Sequence, residues 1–120
     1  MIAPYLAGMQ EKIRQGSEPD NASLIYEFVN QQIGFAKQAS EQEKNSYISL
    51  FRVLLETAAD EMLPRHWRSL CMDYIQQPLS LLWELAESDE SKWEVVKLCH
   101  EFKTIGDYVA SSINNPILKH

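Results

Sequence analysis

At 120 residues, with 45% apolar and 23% charged side chains, the chain has the size and composition of one domain with a single core. Its formal net charge of −6 argues against nucleic acid and anionic membrane as partners, because both need basic surface. No apolar run approaches the roughly 20 residues that span a bilayer, and the opening MIAPYLAGMQEK lacks the basic-then-apolar order of a secretory leader.

Helical periodicity runs through the sequence, without sustained alternation of period two. A first helix is predicted at about 3–15. Pro4 suits its first turn, Gly16 its stop, and Ile2, Leu6, Met9 and Ile13 share a face that lies against the rest. Residues 16–21 form a turn by composition. A second helix follows at about 22–39, with Leu24, Ile25, Phe28, Val29, Ile33, Phe35 and Ala36 on its apolar arc.

Ser40 and Glu43 have the spacing of a capping box, which predicts a third helix at about 41–63. Its stripe is Tyr47, Leu50, Phe51, Leu54, Leu55, Ala58 and Met62. Pro64 separates it from a fourth helix at about 65–87, in which Trp67, Leu70, Cys71, Tyr74, Ile75, Leu79, Leu82 and Ala86 keep one phase. That phase passes through Pro78, so the element reads as one helix kinked at Pro78, or two nearly collinear ones. Ser91 and Glu94 form a second capping-box pattern ahead of a fifth helix at about 92–113. Val95, Leu98, Cys99, Phe102, Ile105, Val109 and Ile113 face inward, and 114–120 is a short C-terminal tail.

Three of these helices are about 22 residues, or roughly 33 Å, long and are joined by short connections. The expected architecture is therefore all-α: an up-down antiparallel four-helix bundle in one domain over 1–120, with a short N-terminal helix.

Motifs for chemistry are scarce. The chain has no Glu-x-x-His, Cys-x-x-Cys or His-x-x-x-His, so no metal centre, no cofactor and no catalytic residue is expected. Cys71 and Cys99 both fall on apolar arcs and lie about 13 Å out of register in a hairpin, which reads as two reduced thiols in a cytoplasmic protein. Arg65, His66 and Arg68 gather at a helix start, where free N–H groups favour anions. That corner is either an anion site or a set of ion pairs to Asp60 and Glu61. Gln32 sits within an apolar arc and needs hydrogen-bond partners. Glu84, Glu87, Asp89, Glu90 and Glu94 make an acidic end.

Two apolar surfaces point to partners. Met72, Leu79 and Trp83 flank the main stripe of the fourth helix, while Trp93, Val96 and His100 line the outer face of the fifth. Exposed tryptophan is typical of interface anchors. The expected function is a non-enzymatic interaction module that binds another protein or a second copy of itself. A bundle holding a small ligand or anion at Arg65, His66 and Arg68 is the alternative, and an enzyme with an unrecognised site the third class.

Overall fold

Apolar residues recurring every three to four positions commit this chain to helices. The computed structural model describes residues 4–114, and among the described residues there is no strand. The elements are α1 (Pro4–Gln15), α2 (Ala22–Gln38), α3 (Glu43–Ala59), α4 (Arg65–Tyr74), α5 (Gln76–Leu85) and α6 (Asp89–Asn114), with a 3-10 turn at Ser40–Gln42. Ile2, Ile113 and the expected tail fall where no side chain is described.

Gly16 ends α1 as expected. Its φ of 61° is the left-handed conformation that glycine adopts without a Cβ penalty. Ser17 N–H reaches Lys12 O and Gly16 N–H reaches Ile13 O, both at 3.1 Å, which together make a Schellman cap.

Four boundaries differ from the sequence reading, each for a local reason. Ser40 makes no side-chain cap, and Glu43 does not reach back to it. Tyr47 is fully buried and its hydroxyl needs an acceptor, which the Glu43 carboxylate supplies at 2.7 Å from one turn upstream. Burial and this anionic neighbour hold the Tyr47 hydroxyl far above its ordinary pKa.

The third helix stops at Ala59 rather than 63. Asp60 turns extended, with φ −80° and ψ 102°, and its Oδ1 accepts the Met62 N–H at 3.0 Å. Pro64 disfavours helical geometry at Leu63, so the helix cannot continue to it. Met62, expected in the stripe, is instead 91% exposed.

The break in the fourth helix falls at Ile75, not at Pro78. A proline ring collides with the carbonyl four residues earlier, here Tyr74, so the strain appears one turn upstream. Ile75 keeps helical dihedrals, but its N–H bonds Met72 O at 3.4 Å in a tightened turn. Pro78 is then the third residue of α5, where a missing N–H leaves no intrahelical bond unmade.

The last helix begins at Asp89, three residues earlier than expected. Ser88 Oγ accepts the Ser91 N–H at 3.0 Å, and Ser91 Oγ accepts the Ser88 N–H at 3.1 Å. Ser91 thus fills the inner position of a reciprocal box, while Glu94 goes to Lys44 Nζ at 3.0 Å.

Helix α3 is the centre of the molecule and packs against all five other helices. The main core joins Phe28, Leu50, Phe51, Leu54, Trp67 and Ile75, and α1 enters it through Leu6 and Ile13. A smaller cluster of Ala36, Tyr47, Leu82 and Val95 lies at the opposite end. The Cα extents of 45 × 33 × 16 Å describe a slab about two helix layers thick.

Candidate functional site

The basic corner disperses. Arg68 is only 1% exposed, and its Nε donates to Ala58 O at 2.8 Å in the last turn of α3. A cation there satisfies an orphan carbonyl and complements the negative end of the helix dipole. One of its guanidinium nitrogens, Nη2, is buried without a partner. The anion-site expectation for Arg68 is therefore corrected: it is an internal cap, not a surface ligand. His66 Nε2 donates to Pro19 O at 2.8 Å and lies 3.6 Å from Asp20, whereas Arg65 is exposed on the first turn of α4. Asp60 takes Arg14 Nη1 at 2.7 Å, and Glu61 accepts the Tyr108 hydroxyl at 2.6 Å. The Arg14 hydrogen bond, then the Met62 N–H, hold the Asp60 carboxyl below its ordinary pKa. The Glu61 carboxylate raises the Tyr108 hydroxyl.

The residues of the two expected apolar surfaces differ in exposure. Leu79 is buried, which removes it from an exposed partner surface, and Met72 is half-buried. Met72 Cε lies 3.1 Å from where a Gly106 Cβ would stand, so the glycine lets α4 close on α6. Trp83 stays 51% exposed, Trp93 59%, and Val96 and His100 are also outside. The reason is the inward stripe of Val95, Leu98, Phe102, Ile105 and Val109, which turns Trp93, Val96 and His100 to the opposite side of α6. Cys99, expected inward, is exposed, and with Trp83, Leu79, Val95 and Phe102 it lines a shallow depression between α5 and α6. Lys97 Nζ sits 5.9 Å from the centre of the Trp93 ring.

On the other flank of α6 lies a cleft that sequence reasoning missed. Helices α3, α5 and α6 enclose about 400 Å3 above an apolar floor of Ile48, Leu82, Leu85, Ala86, Val95 and Leu98. Its rim carries two ion pairs between α3 and α6, Lys44 with Glu94 at 3.0 Å and Arg52 with Glu101. Lys97 completes the rim. The spacing Lys44, Ile48, Arg52 at i, i+4, i+8 was the available signal, since it sets two cations on either side of one apolar residue.

Gln32, 6% exposed, donates Nε2 to Ser46 O at 3.1 Å, so its amide ties α2 to the first turns of α3. Its Oε1 is buried and unpartnered beside a groove lined by Gln10, Gln42, Asn45, Ser49 and Phe35. Cys71 is fully buried, and burial pushes its thiol up to about 12, which makes it inert at neutral pH. Glu84, Glu87, Asp89 and Glu90 are exposed at the acidic end. Among the described residues no cluster of three or more His, Cys, Asp or Glu could hold a metal ion, and no helix is long and apolar enough to cross a membrane. No protein-family model, curated protein or solved structure matches the chain.

Proposed function

We propose that this chain is a non-enzymatic interaction module that binds another protein through the outer face of α6 and the edge of α5. The observation that carries the reading is the pair of half-exposed indoles, Trp83 and Trp93, with Val96 beside Trp93 on the same helix. Tryptophan on a rigid helix loses little conformational freedom on binding and fills a partner's pocket with a large apolar area. His100 gives this face a polar neighbour, and Lys97 braces the Trp93 ring. We place the protein in the cytoplasm, where the thiols of Cys71 and Cys99 remain reduced.

The scaffold beneath this face reads as an up-down bundle of α2, α3, the broken leg α4 with α5, and α6, with α1 laid against it. Cross-helix contacts support that order. Gln32 meets Ser46, Arg68 meets Ala58, and Met72 meets Gly106, each pairing successive legs head to tail.

Capture of partners from the source cells by the tagged chain, compared with a Trp93→Ser, Val96→Ser double variant, tests the reading. A bound partner should fall at least about tenfold in affinity. Met62→Ser, which changes an exposed apolar residue elsewhere, should leave binding unchanged. Equal retention by the double variant contradicts the proposal.

A further inference from the structure

We propose that the cleft between α3, α5 and α6 is a binding site for a small amphiphile carrying one negative charge: a medium-chain carboxylate, or an aromatic acid of similar bulk. At about 400 Å3 it lies within the usual range of small-molecule sites, and its construction matches theirs, an apolar floor with few polar groups at the mouth. All six floor residues are aliphatic, and every charged group belongs to the rim.

The rim selects the sign of the ligand. Three cations, Lys44, Arg52 and Lys97, face two carboxylates, Glu94 and Glu101. Two of the cations are matched in the ion pairs that tie α3 to α6. Lys97 is the surplus: it lines the cleft, and its Nζ stands 5.9 Å from the centre of the Trp93 ring, a contact that leaves its charge unneutralised. A carboxylate drawn to Lys97 leaves its alkyl or aryl body to cover Ile48, Leu82 and Leu98. A cationic head would instead compete with Lys44 and Arg52 for acids already paired.

The rim also selects size. Lys44 and Arg52 are eight residues apart on α3, so the two ion pairs are spaced about 12 Å along the cleft. A partner helix is itself about 10–12 Å across and could not lie along a cleft crossed by both pairs. A single chain or ring can enter between them. Lys97 borders both this cleft and the Trp93 face, so the floor residues Ile48, Leu82 and Leu98, which belong to the cleft alone, separate failure of this site from failure of the docking reading.

Calorimetric titration of the whole chain with octanoate, octan-1-ol and octylammonium at low salt, alongside methyl NMR spectra, tests the proposal. Octanoate should bind tightest of the three and shift the methyls of Ile48, Leu82 and Leu98, not those of Leu6 and Ile13. Lys97 is exposed, so Lys97→Glu should fold normally, which circular dichroism verifies. That variant should weaken octanoate about fivefold while leaving octan-1-ol within about twofold. Absence of shifts at the three floor methyls overturns the site. Equal or tighter binding of octylammonium, or an unchanged octanoate affinity in Lys97→Glu, overturns the assignment of charge.

Discussion

The two ends of the slab use polar groups in opposite ways. At one end, where α1 and α3 finish and α4 begins, two buried side chains turn inward onto helix termini: Trp67 Nε1 donates to Ile13 O at 2.9 Å and Arg68 Nε to Ala58 O. The part-exposed Arg14 pairs with Asp60 beside them. At the other end, where α5 finishes and α6 begins, the charged groups Lys44, Glu94, Arg52 and Glu101 stay at the rim of an apolar cleft, and tryptophans face solvent. The buried groups of the first end are costly to remove, because the Ala58 carbonyl would lose its partner and the Trp67 ring would leave a cavity. Rim ion pairs are screened and contribute little to stability. The first end therefore anchors the fold, and the second is free to carry binding surface.

That contrast breaks most visibly at Trp67. Trp67→Ala should cost about 3–5 kcal/mol in denaturant unfolding, through the lost ring and its cavity. Trp67→Phe should cost only about 1–2 kcal/mol, since the ring bulk largely remains and Ile13 O still receives the Gly16 N–H.

Arg68 follows. Arg68→Ala should destabilise by about 2–3 kcal/mol, because the Ala58 carbonyl and the space of the side chain both lose their partner. Arg68→Met should cost less than half of that, since it fills the same space without burying a charge whose Nη2 is unpartnered. Similar losses in the two variants would mean that the charge itself, not the packing, holds this end.

Gly16→Ala should cost about 1–2 kcal/mol, as alanine must adopt a left-handed conformation. Its Cβ would also stand 2.9 Å from Leu63 Cδ2.

The acid side of the stability curve sharpens the comparison further. Asp60 has its folded pKa depressed, so its contribution is present above the unfolded value and is lost as pH falls through the folded one. The wild type should lose stability below about pH 4, and Arg14→Gln should flatten that slope. An unchanged slope in the variant would remove Arg14 from the anchoring end.

The smallest effects belong to the rim. Lys44→Ala and Arg52→Ala should each change stability by less than about 1 kcal/mol. A loss of 2 kcal/mol or more at either position would erase the distinction between the two ends.

The helices were legible in the sequence because each depends on local spacing. The stripe of α3 from Tyr47 to Ala58, the start of α1 at Pro4 and its stop at Gly16 needed nothing beyond the chain's own periodicity. The caps were less legible, since their patterns compete for the same groups. Glu43 satisfies the spacing of a box with Ser40, but a buried Tyr47 hydroxyl takes its carboxylate. Ser91 fits the outer position of one box and occupies the inner position of another. Residues whose fate is decided by a distant helix were not legible at all. Arg68 reads as a surface cation until α3 ends against it, and Cys99 reads as core until the edge of α5 leaves it uncovered. The cleft needed Lys44 to meet Glu94 across 50 residues of sequence, a pairing that no periodicity within one helix encodes.

The chain holds three tryptophans, and their indole N–H protons report directly on the two ends. Hydrogen exchange of the three resonances is the most direct test. Trp67 Nε1–H, buried and bonded to Ile13 O, should exchange at least about a thousandfold more slowly than those of Trp83 and Trp93, opening only when the molecule unfolds. Exchange of all three within about tenfold of one another would contradict an anchored end and a presenting end.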